Sequence, residues 1–173
     1  MLIAVVGPSG AGKDTVLEGL RAALAGEPRF VFIRRSITRP AEAGGEAHEA
    51  LTPAEFASRD FALQWQAHGL HYGIPRGMEA ELAAGRVVLA NLSRGMLPEA
   101  AARYPLVVLE VSAPPAILAA RLAARGRETE ADIAARLARE AALPPSLRVL
   151  RVVNDSTPAA AIAQAARLLR ALD

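Results

Sequence analysis

The apolar positions along this chain switch between unbroken short runs and helical spacing, and those switches mark out its elements. Leu2-Ile3-Ala4-Val5-Val6 is a continuous apolar run, the pattern of a strand buried on both faces. From Lys13 to about Leu24, the residues Val16, Leu17, Leu20 and Leu24 recur at helical spacing, and Gly26 with Pro28 ends the helix. Phe30-Val31-Phe32-Ile33 reads as a second buried strand. Arg34 to Leu51 carries glycine, proline and charge without period, which predicts a long loop of the kind a domain keeps for function. Thr52-Pro53-Ala54-Glu55 has the cap, the first-turn proline and the third-position carboxylate of a helix start. Phe61 to Ile74 breaks at His68-Gly69 and predicts a small hairpin, followed by a helix from Arg76 to Ala84 stopped by Gly85.

The second half alternates regularly. Strands are predicted over Val87-Val88-Leu89-Ala90, Leu106 to Val111 and Val149 to Val153. Helices are predicted over Met96 to Arg103, Pro115 to Ala124, about Glu130 to Ala142, and from the Thr157-Pro158 cap to Leu172. Alternating strands and helices imply an α/β fold, a mainly parallel sheet with helices on both faces.

Composition narrows the class. At 173 residues the chain reads as a single domain, 1–173, with no linker. Its 52% hydrophobic and 22% charged residues describe a globular, helix-rich protein. The net charge of +2 comes from arginines scattered among carboxylates, which ranks polynucleotide binding low. The absence of cysteine excludes disulfides and thiolate metal sites. No run of about 18 apolar residues occurs, and the first apolar stretch leads into a glycine-rich turn instead of a cleavage site, so a cytoplasmic protein without membrane association is expected.

Lys13 is the only lysine, the other nineteen of the twenty basic residues being arginines. It lies in Gly7-Pro8-Ser9-Gly10-Ala11-Gly12-Lys13-Asp14-Thr15, between the first strand and the first helix, which is the layout of a phosphate-binding P-loop. Glycines let backbone N–H groups wrap an anion, the helix turns its positive end toward it, and a slender ammonium reaches the terminal phosphates. ATP as phosphoryl donor with Mg²⁺ is therefore expected. The residue after the lysine is Asp14 where Ser or Thr is usual; its carboxylate is read as a hard oxygen ligand for Mg²⁺, the alternative being simple stabilisation of the first helical turn.

Three other polar clusters stand out. Arg34-Arg35-Ser36-Ile37-Thr38-Arg39-Pro40 follows the second strand at the sheet edge where α/β ligands bind, and suits an acceptor phosphate; a solvated loop is the alternative. Arg121 and Arg125 lie at i and i+4 before Gly126, with Arg127, Arg136 and Arg139 beyond, the material of a lid over 125–142 or of a salt-bridged surface helix. His68-Gly69-Leu70-His71-Tyr72-Gly73 and Asn91-Leu92-Ser93-Arg94 form the third, with Asn91, Ser93 and Arg94 directly after a strand. His48, His68 and His71 lack metal-ligand spacing and read as polar loop residues. Ser9 is no hydrolase nucleophile, since that elbow needs glycine two residues on either side.

Taken together, the Gly7 to Lys13 loop, Ser36 with Thr38-Arg39-Pro40, Tyr72-Gly73, the Arg121 to Gly126 segment, Ile133 to Leu137 and Asn154-Asp155 resemble, in order and over nearly the whole chain, the guanylate kinase-like branch of P-loop kinases. The resemblance implies a P-loop NTPase fold: a five-stranded parallel core, a small acceptor-binding subdomain at about 34–85 and a lid at about 125–142. It implies catalytic roles for Lys13, Arg125 and Arg136, nucleotide contacts from Gly7 to Thr15, Arg121 and Asn154, and acceptor contacts from Ser36, Thr38, Arg39, Tyr72, Asn91, Ser93 and Arg94.

The departures bear on the acceptor. Glu42 stands where guanylate kinases carry a second arginine, their Tyr-x-Phe is missing around His48 to Leu51, and their guanine-reading glutamate falls near Leu63. The loop offers no obvious carboxylate for a guanine edge, so GMP is disfavoured. Asp14, Ile37-Thr38-Arg39-Pro40, Trp65, His68-Gly69-Leu70, Asn91-Leu92-Ser93-Arg94 and Arg125-Gly126-Arg127-Glu128 are instead similar to the ribose 1,5-bisphosphate phosphokinase family of bacterial phosphonate degradation (the carbon–phosphorus lyase pathway). That implies a small phosphorylated sugar as partner and 5-phosphoribosyl 1-diphosphate as product, feeding the synthesis of NAD among others. A guanylate or related nucleoside monophosphate kinase is the alternative enzyme, and a non-enzymatic guanylate kinase-like module the alternative class, with Lys13 intact arguing against it. Homodimerisation is left open.

Overall fold

Leu2–Val6 (β1) is buried along its whole length, as its unbroken apolar run requires of a strand covered on both faces. The computed structural model describes residues 1–40, 46–124 and 143–172. The expected lid over 125–142, with Arg125 and Arg136, and Glu42 lie outside the described residues. The elements after β1 are α1 (Lys13–Ala23), β2 (Phe30–Phe32), β3 (Ser36–Ile37), β4 (Glu49–Ala50), α2 (Pro53–Ala57), β5 (Phe61–Ala67) and β6 (Leu70–Pro75). Then come α3 (Gly77–Ala83), β7 (Val87–Asn91), a 3-10 turn (Arg94–Met96), α4 (Leu97–Arg103), β8 (Leu106–Ser112), α5 (Pro115–Ala124), β9 (Arg148–Val153) and α6 (Pro158–Arg170).

A five-stranded parallel sheet runs in the order β2-β7-β1-β8-β9, with helices as its connections. β9, at an edge, buries only Val152 fully, whereas β1 near the middle buries every residue. The order β2-β7-β1 brings a late strand between two early ones, and β2 and β7, paired in parallel, end at the same edge.

The chain divides into two compact units. The first comprises Met1–Ala4 and Ala25–Val107. It contains a second, four-stranded sheet in the order β4-β3-β6-β5, with β3 and β4 parallel and the other pairs antiparallel. Here the expectation of an irregular loop from Arg34 to Leu51 is corrected. Ser36 and Ile37 pair with Glu49 and Ala50 on one side and with Gly73 and Tyr72 on the other. Two-residue strands carry too little sequence to show a period, and the pairing comes from long-range partners. The hairpin turns at His68 and Gly69, both with positive φ (53° and 73°). α2 opens with the expected capping box: Thr52 Oγ1 accepts from the Glu55 amide at 3.2 Å, and the Glu55 carboxylate accepts from the Thr52 amide at 2.7 Å.

The second unit comprises Val5–Leu24 and Val108–Asp173. Within it α1 packs on α6, and Gly19 explains how closely: a Cβ there would lie 2.1 Å from Ile162 Cδ1. A mid-helix glycine costs about 1 kcal/mol against alanine, so its presence is accounted for by this approach of the two helices. α6 starts at Thr157, whose Oγ1 accepts from the Ala160 amide at 3.3 Å, with Pro158 in the first turn. Among the described residues no helix is long and apolar enough to cross a membrane.

Candidate functional site

The turn between β1 and α1 is shaped by three glycines with positive φ: Gly7 at 152°, Gly10 at 87° and Gly12 at 83°. Gly7 and Gly12 also lie against their surroundings, since an added Cβ would sit 1.9 Å from the Val111 carbonyl oxygen and 2.6 Å from Asn154 Nδ2 respectively. Side chains are excluded here by both conformation and space, so the loop must present backbone. The Ala11 amide donates to the Pro8 carbonyl at 3.2 Å, closing the loop, and Lys13 Nζ donates to the same carbonyl at 3.3 Å. The ammonium is thus folded back over the turn that it serves. Asp14 and Thr15 follow in the first turn of α1, both exposed.

Two residues distant in sequence hold this turn. Arg121, on α5, donates from Nη1 to the Gly10 carbonyl at 3.3 Å and from Nη2 to the Asn154 carbonyl at 3.1 Å. Asn154, buried just after β9, donates from Nδ2 to the Ala11 carbonyl at 2.9 Å, and its own amide donates to the Ser112 carbonyl at 2.8 Å. Two successive loop carbonyls are tied down from outside. All the nucleotide-site candidates of the second unit therefore meet around one turn, which is the anion-binding geometry of a helix N-terminus behind a glycine-rich loop.

The first unit gathers the acceptor candidates around the small sheet and the ends of β2 and β7. Ser36 is fully buried and its hydroxyl donates to Glu49 Oε2 at 2.6 Å, while Arg59 donates to Glu49 Oε1 at 2.7 Å. The Ser36 hydroxyl, ahead of the Arg59 ion pair, holds the Glu49 carboxyl below the usual carboxylate range. Thr38 is stitched to β6: its amide donates to the His71 carbonyl at 3.1 Å and its Oγ1 accepts from the His71 amide at 2.9 Å. Arg39 places Nη2 3.4 Å from His48 Nδ1, and the two His48 ring nitrogens lie 3.0 Å from the carbonyls of Glu46 and Arg39.

Tyr72 is buried and stacks on Trp65 with ring centroids 5.4 Å apart and planes 6° from parallel. The Arg35 guanidinium lies 4.9 Å from the Tyr72 ring centre and 5.7 Å from that of Trp65. Arg35 also pairs with Glu46, and Asn91, buried at the end of β7, donates to Glu46 Oε2 at 2.5 Å. Ser93 and Arg94 continue from there, Ser93 accepting at its carbonyl from the Met96 amide at 3.0 Å.

Arg35 is read from sequence only as part of the Arg34 to Pro40 cluster, and Glu46 and Glu49 are not singled out there as site residues. The signal for Glu49 is absent from local sequence because it lies in pairing between strands: Ser36 stands opposite Glu49 in register. Leu63 is buried in β5, 1% exposed. Among the described residues no three His, Cys, Asp or Glu side chains group as a metal site.

A family model described as an AAA domain matches residues 2–145. The ribose 1,5-bisphosphate phosphokinase PhnN of Acidiphilium cryptum (strain JF-5) is 54% identical over 160 residues, covering 92% of this chain and 87% of that one. A bifunctional ribose 1,5-bisphosphokinase-thymidine phosphorylase of Azorhizobium caulinodans is 53% identical over 178 residues, which cover 95% of this chain. The chain spans about a quarter of that relative's length, 26%. The guanylate kinase from Anaplasma phagocytophilum matches in structure with a TM-score of 0.69 at 18% identity, covering 99% of this chain and 84% of that one, a likeness of fold. The chain belongs to the ribose 1,5-bisphosphate phosphokinase family, kinases built on a P-loop domain with a guanylate kinase-like fold.

Proposed function

We propose that this protein transfers the γ-phosphoryl group of ATP to the 1-phosphate of ribose 1,5-bisphosphate, giving 5-phosphoribosyl 1-diphosphate and ADP. The observation that carries the reading is the turn from Gly7 to Lys13, three left-handed glycines and one lysine at the head of α1, in a chain about half identical to relatives named for this reaction. An acceptor phosphate oxygen is already ionised at neutral pH, so no general base is required. It attacks the γ-phosphorus as the bond to the β-phosphate oxygen breaks, and the leaving electrons stay on ADP. What the protein supplies is alignment and charge neutralisation.

Roles follow from position. Lys13 and the turn from Gly7 to Thr15 take the ATP phosphates, with Arg121 and Asn154 fixing the turn. Asn154 Oδ1 is buried without a hydrogen-bond partner among the described residues, an acceptor that a nucleotide donor group would satisfy. Arg125 and Arg136, within the proposed lid over 125–142, neutralise charge on the moving group. The acceptor falls to Ser36, Thr38, Arg39, Tyr72, Asn91, Ser93 and Arg94, in a subdomain over about 34–85 of a single kinase domain. The protein is assigned to the cytoplasm.

Asp14 fits Mg²⁺ by donor chemistry: it and Thr15 offer exposed oxygens directly after the lysine, and Mg²⁺ commonly takes one or two protein oxygens and leaves the rest to phosphate and water. When bound, the ion would neutralise charge on the β- and γ-phosphates. Titrating Mg²⁺ against Asp14→Asn and Asp14→Ser tests this; weakened metal dependence in the first and partial retention in the second are expected, and unchanged dependence in both assigns Asp14 to helix stabilisation.

The decisive experiment compares acceptors. Purified protein with ATP and Mg²⁺ is given ribose 1,5-bisphosphate and GMP side by side, and kcat/KM should favour the sugar by up to ~10⁴-fold, the scale set when a required polar partner is missing. Efficient phosphorylation of GMP with the sugar untouched would make the chain a divergent guanylate kinase.

A further inference from the structure

Glu46 carries a carboxylate with a side chain only 9% exposed, tied at both oxygens: the Arg35 guanidinium pairs with Oε1 and the Asn91 amide donates to Oε2 at 2.5 Å. Arg35 follows the end of β2 and Asn91 is the last residue of β7, and these two strands pair in parallel. The carboxylate is therefore anchored from the C-terminal ends of neighbouring strands, where α/β sheets bind ligands. Glu49 is the contrast, since it too has partners at both oxygens but its side chain is 38% exposed and its Arg59 partner 46% exposed. Hydrogen bonds made by the shielded Glu46 compete less with water.

An ionised carboxylate only accepts hydrogen bonds, at about four positions, of which Arg35 and Asn91 take two. It repels phosphate oxygens. A sugar bisphosphate has one kind of group that such a carboxylate attracts, its ring hydroxyls, and in ribose 1,5-bisphosphate these are the vicinal pair at C2 and C3. Arg35 offsets the charge of Glu46, so the carboxylate sits beside an anionic acceptor without cancelling the pull of Arg39 on its phosphates. The stacking of Arg35 on Tyr72 and Trp65 fixes the guanidinium that fixes the carboxylate.

We propose that Glu46 is a specificity-determining residue for the acceptor, its carboxylate accepting hydrogen bonds from the ribose C2 and C3 hydroxyls while Arg35 positions it and Asn91, besides its own place at the acceptor, holds its second oxygen. This rests on the function proposed above.

The test is the ratio of kcat/KM for ribose 1,5-bisphosphate over its 2-deoxy and 3-deoxy analogues, measured with ATP and Mg²⁺ in the wild-type chain, Glu46→Ala and Glu46→Gln. The wild type should favour the intact ribose over at least one analogue by about 10- to 100-fold, the scale of a hydrogen bond to a charged group. In both variants the ratio should fall toward one, through a higher KM for the intact sugar. Loss of a purely structural contact lowers turnover of all acceptors together, so an unchanged ratio in the variants overturns the proposal, as does a wild type that treats the three acceptors alike. Glu46→Gln keeps the shape and reads the same ratio if the alanine variant fails to fold. A wild type that does not phosphorylate ribose 1,5-bisphosphate overturns the proposed function itself, whereas turnover with unmoved ratios overturns only the role of Glu46.

Discussion

Asn154 reaches across 143 residues of sequence to donate its side-chain amide to the carbonyl of Ala11 at 2.9 Å. Arg121 completes the clasp by bonding the carbonyls of Gly10 and Asn154. A loop whose carbonyls are held from outside keeps the shape that presents its backbone to an anion, which ties the end of β9 to the chemistry of the turn after β1. Asn154→Ala leaves the Ala11 carbonyl without that donor in a buried setting, a cost of about 1–3 kcal/mol. The expected result is weaker ATP binding by calorimetry, ~10-fold or more, with a smaller change in kcat. Binding unchanged in Asn154→Ala would mean that the turn holds its shape without the clasp.

Gly7 is a packing constraint as well as a conformational one. Its φ of 152° is one that L side chains rarely adopt, and an added Cβ would lie 1.9 Å from the carbonyl oxygen of Val111, a backbone atom on β8 that cannot swing aside. Gly7→Ala should destabilise by about 2 kcal/mol or more through strain and overpacking. Gly26→Ala is the control, because nothing lies within 4 Å of its Cβ position. Urea denaturation of the two side by side should show a lowered midpoint only for Gly7→Ala.

Lys13 lies at the N-terminal end of α1, outside the apolar core, with Nζ 3.3 Å from the Pro8 carbonyl. Lys13→Ala should abolish phosphoryl transfer while leaving the denaturation midpoint near that of the parent chain. Lys13→Arg should fail as well, since a forked planar guanidinium does not replace a compact ammonium within a tight turn. Near-normal turnover of either variant would remove the P-loop assignment.

How much of this was legible in the sequence depended on how local the cause was. β1, the glycine turn and α1 were readable because an apolar run, a glycine spacing and a helical period each sit within a few residues, and the Thr52 and Thr157 caps for the same reason. β3 and β4 were not. Ser36 and Ile37 become a strand only because Glu49, Ala50, Tyr72 and Gly73 stand beside them, and no property of two residues announces that. The acceptor region shows the same limit. Tyr72 and Asn91 were singled out from motif and strand position, while the contacts of Glu46, the residue Asn91 holds, and of Arg35, which lies over the Tyr72 ring, join segments far apart in sequence.

The Ser36–Glu49 pair gives the small sheet a pH dependence whose sign is fixed. The Ser36 hydroxyl, with Arg59 behind it, lowers the Glu49 pKa from its ordinary value of 4.5, so the folded state binds this proton less readily than the unfolded chain. Stability from the pair is therefore present in full above the unfolded value and is lost as pH falls through the lower folded one. Ser36→Ala removes the hydroxyl from a fully buried position and should cost about 1 kcal/mol at pH 7, a figure kept small because Glu49 is 38% exposed and water competes for it. As pH falls through that lowered folded value the parent chain also loses the ionised acceptor, so the difference between parent and variant should narrow. Urea denaturation of both proteins at pH 7 and pH 3 reads this directly. A gap of the same size at both pH values would show that the Ser36 hydroxyl contributes through packing and not through the charge on Glu49.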